Sequence, residues 1–488
     1  MKVLNQTESL PISGMTVKTK LMNHQRLAIA KLKGLRVGGL FMEMGTGKTR
    51  TIIELALERC KKIDKVIYFC PVNLKSTVEF ELRKHICNPS LYIFDDKTKM
   101  GKIPEAWFYV VGIESIGQSD RVTLCANDLI TDRTMVVIDE SDTCKNHKAL
   151  RTQRLTHMSK RSRYRFIATG TAVGEGVIDL YAQMYFLSPD ILGYKSFYSF
   201  AANHLEYSEE YKGMIVNSLN TDVIARKIDP YVYQVKKEEC LELPDRQYLS
   251  RTFEMSDEQR EIYQRAKEEI LMSVPDDEID SYVIFRLFTA LREIVSGFWY
   301  RRPDPNPSHQ WAEQFEPEML TVEHDRVEML RSVLNEIPAN EKVIIWVNFH
   351  HCIDQVVAAL SNEYGENSIA QFHGRTVDRD AQIDQWRGNA RFFVASPQCG
   401  GRGLTLNESA YTIFYNNDFP YRKREQAEAR NHRIGQTRKP TYIDLIAGSS
   451  IDDRIFKALS NKESLVQAFK KEMDKLKGSG RKALLERL

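Results

Sequence analysis

Val37-Gly38-Gly39-Leu40-Phe41-Met42 reads as an apolar strand, Gly45-Thr46-Gly47-Lys48-Thr49 as a glycine loop, and residues 51–60 as a helix. Ile52, Ile53, Leu55, Ala56 and Cys60 fall on one face of that helix. Strand, glycine loop and helix in this order are what a phosphate-binding loop requires. The backbone N–H groups of Gly45, Thr46 and Gly47 turn toward an anion, and the helix N-terminus adds the positive end of its dipole. Lys48 is then expected to reach the β- and γ-phosphates of ATP, and the Thr49 hydroxyl to ligate Mg²⁺. The longer form of the pattern would place a further glycine at position 42, where Met42 stands, so the short form is the one present.

The complement of such a loop is acidic and sits at the end of another buried strand. Val136-Val137-Ile138-Asp139-Glu140-Ser141-Asp142 supplies it. Two carboxylates after a strand can simply cap a helix. Beside Lys48 they read instead as a catalytic pair, with Asp139 holding Mg²⁺ and Glu140 orienting or deprotonating the attacking water.

Outward from these segments the pattern is α/β. Short apolar strands at 37–42, 66–70, 108–111, 135–138 and 166–168 alternate with helical stretches, and the second half repeats the pattern at 343–347, 369–372, 392–395, 412–415 and 442–446. Between the two blocks, 194–340 is charged, helix-prone and broken by prolines at 303, 305 and 307. The expected organisation is an N-terminal lobe over 1–240 with a helical insertion near 194–235. A C-terminal lobe follows over 241–460 with a helical insertion near 255–335, and then a basic helical tail over 461–488. Leu243-Pro244-Asp245 marks the boundary. The acidic run Asp276-Asp277-Glu278 reads as a solvated loop.

A chain of 488 residues exceeds one hydrophobic core, and 42% apolar with 28% charged residues argues against disorder. The N-terminus lacks the apolar core of a secretory signal, and no stretch approaches a membrane span. Eight dispersed cysteines, none in a C-x-x-C pair, fit reduced thiols and make a zinc site improbable. A soluble, cytoplasmic protein is therefore expected. The net charge of +3 is silent about nucleic acid.

Further motifs resemble, in order, those of the Swi/Snf-related branch of helicase superfamily 2, over roughly residues 20 to 460. Gln25, in Leu21-Met22-Asn23-His24-Gln25, looks like the glutamine that reads adenine. Pro71-Val72-Asn73-Leu74 is similar to a motif that grips a DNA backbone, although a tryptophan expected near Val78 is missing. Thr169-Gly170-Thr171 resembles the motif that couples nucleotide to DNA, and Phe186-Leu187-Ser188-Pro189 follows it. Gly400-Gly401-Arg402-Gly403-Leu404 looks like the Gly-Gly-x-Gly-Leu motif, which read alone is a tight turn. Gln426-Ala427-Glu428-Ala429-Arg430-Asn431-His432-Arg433-Ile434-Gly435-Gln436 is close to the Gln-Ala-x-x-Arg-x-x-Arg-Ile-Gly-Gln segment.

The resemblance implies two RecA-like lobes, each a parallel sheet flanked by helices. It assigns Gln426 to ATP, Arg430 and Arg433 to the arginine fingers, and Pro71, Asn73, Thr169, Gly170, Thr171, Gly400, Gly401 and Arg402 to DNA. It implies a DNA-dependent ATPase that translocates on double-stranded or forked DNA, in a stripped-down bacterial or viral form. Two other readings stay open at this point: a strand-separating helicase on forks or hybrids, and an ATP-switched DNA-binding subunit of a larger complex. His432 reads as an ordinary polar or packing residue. Phe298-Trp299-Tyr300 reads either as core or as a set of aromatics that touch bases.

Overall fold

A computed structural model describes residues 15–170, 176–207, 215–272, 281–301, 318–400, 404–419 and 421–461. It divides into two compact units, Met1–Glu242 and Leu243–Leu488.

The first unit is built on seven parallel strands: β1 (Val37–Met42), β2 (Lys65–Cys70), β3 (Leu91–Ile93), β4 (Phe108–Gly112), β5 (Thr134–Asp139), β6 (Tyr164–Thr169) and β7 (Val232–Val235). Their order across the sheet is β7-β1-β6-β5-β2-β4-β3. Alternate residues of each strand enter opposite cores, because successive side chains of a strand point to opposite faces. Ile67, Phe69, Val136 and Ile138 pack on one side with Ile113, Leu155 and Met184. Val66, Tyr68, Met135 and Val137 pack on the other with Ile52, Ile53, Leu55 and Ala56. Both faces are therefore covered, the arrangement that parallel strands with continuous apolar runs require.

The second unit repeats the plan with six parallel strands: β8 (Gln247–Phe253), β9 (Val343–Trp346), β10 (Ile369–Phe372), β11 (Phe392–Ala395), β12 (Tyr411–Phe414) and β13 (Thr441–Ala447). Their order is β8-β13-β12-β9-β11-β10. An apolar cluster in this unit joins the helices Asp257–Met272, Ser281–Val295 and Ile451–Ser460 through Tyr263, Ala266, Leu287, Phe288, Ile451 and Ile455.

Several expectations change in detail. The helix after the glycine loop starts at Lys48 and ends at Leu57, so Cys60 lies in the turn beyond it. Within the two large sheets, three strands fall where the sequence suggested none, β3, β7 and β8. The 194–235 region contains a small antiparallel pair, Leu205–Tyr207 with Ile215–Ser218, as well as helices, and it ends in β7. Within 255–335, Phe298–Arg301 pairs with Glu318–Thr321, burying Phe298 and Trp299 and leaving Tyr300 partly exposed. The acidic run at 276–278, the prolines at 303–307 and the tail from 462 lie outside the described residues.

Candidate active site

Strand order gathers the site of the first unit. β6 lies between β1 and β5, with Phe41 opposite Thr169 and Asp139 opposite Ala168. The C-terminal ends of β1, β6 and β5 thus stand side by side. They deliver the glycine loop, Thr169-Gly170 and Asp139-Glu140 to one edge of the sheet, where ligands bind in open α/β folds. A Cβ on Gly170 would stand 2.9 Å from Met44 Cγ and 3.5 Å from Lys48 Nζ, so a side chain there would have to displace Met44 from beside the loop.

The loop is held from the side by the helix Asn23–Leu32. Gln25 Nε2 donates to the carbonyls of Thr46 (3.3 Å) and Gly47 (3.4 Å), while its Oε1 accepts from the Met22 N–H (2.9 Å). The His24 ring N–H donates to Thr46 O at 2.7 Å. Thr46 Oγ1 donates to Glu43 O at 2.7 Å, and Lys48 Nζ donates to Met42 O at 3.2 Å. Gly47 has φ +85°, the left-handed region that β-carbons disfavour. Gly45 shares this sign, and Thr49 follows Lys48 in the first helical turn.

Asp139 and Glu140 are both buried. Tyr68, reaching across from β2, donates its hydroxyl to Asp139 Oδ2 at 2.8 Å, and the Glu140 N–H donates to Asp139 Oδ1 at 3.0 Å. Burial, with the neighbouring Asp139 second, pushes the Tyr68 hydroxyl well above its ordinary pKa, so it stays protonated and keeps donating to Asp139. Burial, then the neighbouring Glu140 charge, pushes Asp139 up to about 6, against the pull of Lys48 and the Tyr68 hydrogen bond. Glu140 adopts φ +48°, and its Oε2 is buried with no hydrogen-bond partner among the described residues. A buried acceptor left open is costly unless something else meets it.

In the second unit, Gln426 lies on the helix Tyr421–Glu428, and Arg430 and Arg433 lie in the turns beyond its end. Both arginines donate to the carbonyl of Leu404, at 3.3 and 3.0 Å, and Arg430 Nε also donates to Gln426 O at 2.9 Å. Gln426 Nε2 is buried without a hydrogen-bond partner among the described residues. Gly435 has φ +97° and packs on Asn407, where a Cβ would meet Nδ2 at 2.4 Å. Gln436 Nε2 ties the turn to Asn407 O, Ser409 O and Asn431 O.

Residues 25–296 match the SNF2-related domain, and residues 325–435 match the helicase conserved C-terminal domain. The chain belongs to the SNF2-related family. This SNF2-related chain therefore carries the two domains of a superfamily 2 ATPase. A chromodomain-helicase-DNA-binding protein 1-like protein of Mus musculus is 22% identical over 437 residues, 87% of this chain and 46% of that protein. A Mycoplasma genitalium protein named an uncharacterized ATP-dependent helicase is 25% identical over 341 residues, 68% of this chain and 30% of that one. The chain spans less than half the length of these curated relatives. Among solved structures, the Sulfolobus solfataricus SWI2/SNF2 ATPase core in complex with dsDNA aligns with a TM-score of 0.41 at 20% identity, covering 96% of this chain and 95% of that one.

The DNA-contact candidates of the SNF2-related chain are more scattered. Pro71 is buried at the end of β2, and Asn73 is half-buried in the short helix Val72–Leu74. Thr169 is fully buried and its hydroxyl donates to Asp142 Oδ1 at 3.3 Å, so its side chain faces protein. Gly400 is buried against Trp346, where a Cβ would meet the ring at 2.8 Å. Thr171, Gly401 and Arg402 lie outside the described residues. Sequence reasoning missed Tyr68, His24 and the Leu404 carbonyl. A tyrosine in an apolar strand reads as core, and a backbone carbonyl has no sequence signature. Among the described residues no helix is long and apolar enough to cross a membrane.

Proposed function

We propose that this SNF2-related chain is a DNA-dependent ATPase that translocates on double-stranded DNA. In this reading it remodels DNA structures or protein–DNA complexes in replication, recombination or repair. The observation that carries the reading is the buried Asp139–Glu140 pair beside Lys48, with Glu140 Oε2 left open.

In this reading the backbone of Gly45–Gly47 and the Lys48 ammonium bind the phosphates of ATP, and Gln25 and Gln426 orient the nucleotide. Glu140 Oε2 accepts the proton of the attacking water and fixes its direction. Arg430 and Arg433 supply permanent charge to the phosphoryl oxygens in the transition state, a task for which a planar guanidinium is suited. Thr49 and Asp139 offer the hard oxygen donors that suit Mg²⁺, and a carboxylate buried beside Tyr68 fits a cation partner. Bound there, Mg²⁺ would neutralise developing phosphate charge.

The DNA contacts are assigned to Pro71, Asn73, Thr169, Gly170, Thr171, Gly400, Gly401 and Arg402, largely through backbone groups. Such contacts are independent of base sequence and sensitive to salt. The test is steady-state ATP hydrolysis by the chain alone, with single-stranded DNA, with duplex DNA and with duplex RNA, using Lys48→Ala as the blank. Strong stimulation by duplex DNA is expected; stimulation by single strands alone would move the assignment to a strand-separating helicase.

A further inference from the structure

A second cavity, of about 420 Å³, opens on the first unit away from the glycine loop. Three helical segments and His147, in the loop before the first of them, form it. The helix Leu150–Ser159 and its cap contribute Thr152, Thr156 and Lys160, which share one face at helical spacing. The helix Ile178–Leu187 contributes Tyr181 and Tyr185, one turn apart. The N-terminal end of the helix Phe197–His204 contributes Lys195 and Phe197.

The walls are aromatic and cationic. His147 stacks on Phe197 with ring centroids 3.9 Å apart and planes at 18°, and Tyr181 stacks on Tyr185 at 5.6 Å. Burial holds the His147 imidazole below its ordinary pKa, which favours a neutral, stackable ring. Lys160 and Lys195 are exposed at the rim, and no carboxylate lines the cavity among the described residues. The hydroxyls of Thr152 and Thr156 add hydrogen-bonding capacity inside. Aromatic faces want a flat apolar ring, and a rim of two exposed lysines wants an anion. The volume is that of a small-molecule site, enough for one nucleotide and too small for a base pair.

We propose that this pocket binds one unpaired nucleotide, base stacked among the aromatic side chains and phosphate at Lys160 and Lys195. Its floor adjoins the start of the ATP site. Thr152 and Ala182 line both this cavity and a small internal one that reaches Ser141 and Gln183, whose side chains are hydrogen-bonded at 2.6 Å just beyond Glu140. The nucleotide could be free or part of a DNA strand, and both present the same ring and phosphate.

The test uses the full chain with a labelled short thymidine oligonucleotide, read by fluorescence anisotropy, and with thymidine 5′-monophosphate, read by calorimetry. Lys160→Ala/Lys195→Ala is expected to weaken binding about tenfold and to lower the salt slope for the oligonucleotide by about 0.7, the value for one neutralised phosphate. Phe197→Leu keeps apolar bulk and removes the stacking face, and is expected to weaken binding more than about fivefold. Duplex-stimulated ATP hydrolysis should be unchanged in both variants, which separates this site from the translocase reading. Binding of both ligands, or of the oligonucleotide alone, upholds the site and identifies the source of the nucleotide. Wild-type affinity in both variants, or no binding of either ligand to the wild type, overturns the proposal.

Discussion

A methyl group on Gly47 would stand 2.2 Å from the amide nitrogen of Gln25. The same amide hydrogen-bonds the Thr46 and Gly47 carbonyls, so the helix Asn23–Leu32 clamps the glycine loop at the point where its backbone turns left-handed. Gly47→Ala therefore meets two obstacles, the contact and a backbone conformation costing about 1–2 kcal/mol for a residue with a β-carbon. ATP hydrolysis should fall at least ~100-fold. Adding Gln25→Ala removes the contact but leaves φ unchanged, so it should not restore activity. Recovery in that double variant would show that the contact alone mattered.

Glu140→Gln keeps the shape of the side chain and removes its basicity. ATP binding, followed with a fluorescent analogue, should be retained, while kcat falls by about 10²–10⁴, the range typical of a lost general base. Unchanged turnover would take Glu140 out of that role.

Arg430 and Arg433 share the Leu404 carbonyl but differ in burial. Arg430 is buried and also holds Gln426 O, whereas Arg433 is half-buried. Arg430→Ala should cost the second unit about 1–3 kcal/mol of stability as well as turnover, because buried acceptors lose their donor. Arg433→Ala should leave the thermal midpoint within a degree or two and reduce kcat alone. Equal thermal shifts in the two variants would contradict this division.

Arg326 is fully buried, and its guanidinium donates to the carbonyls of Val295, Tyr415 and Leu445 and to Asp452. It fastens the start of the helix Arg326–Glu336 to the ends of two segments of the second sheet. Arg326→Ala would leave Asp452 buried without its cation, a change worth about 3–5 kcal/mol. Arg326→Lys should recover little, since one ammonium cannot reproduce a fork. Denaturant unfolding of the isolated variants reads both.

His324 supplies a pH prediction. Burial, with the nearby Arg326 charge second, pulls its pKa from 6.5 down to about 4. The unfolded chain therefore takes up the proton first as the pH falls. The stability this group contributes is complete above about pH 6.5 and is lost down to about pH 4, by on the order of 3 kcal/mol at 1.36 kcal/mol per pKa unit. Urea midpoints of wild type and His324→Gln at pH 7 and pH 4.5 should show a smaller acid loss in the variant; equal losses would contradict it.

The strands legible in the sequence and those that escaped it differ in how much of their length is buried. β1, β2, β4, β5 and β6 carry runs buried on both faces, and they announce themselves as Val-Ile-Tyr-Phe or Met-Val-Val-Ile. β3, β7 and β8 are all edge strands, and the edge strand that was legible, β10, is the one that buries Ile369, Ala370 and Phe372. β3 has only three residues, β7 reads Val-Tyr-Gln-Val, and β8 alternates, with Tyr248 about half exposed. An edge strand is covered less and needs fewer apolar residues, so β7 and β8 merged into the helical texture around them. The phosphate loop and Asp139-Glu140 were legible because their backbone placement depends on local glycine and strand-end chemistry. Tyr68, which donates to Asp139, was not, because its role exists only once β2 and β5 are neighbours.

The most direct test of translocation is ATP-driven displacement of a triplex-forming strand from a duplex, which removes an obstacle without requiring the two duplex strands to separate. The full chain should release the third strand at a rate that follows ATP hydrolysis, with the duplex intact, and Lys48→Ala should release none. Robust duplex-stimulated hydrolysis without any release would contradict translocation.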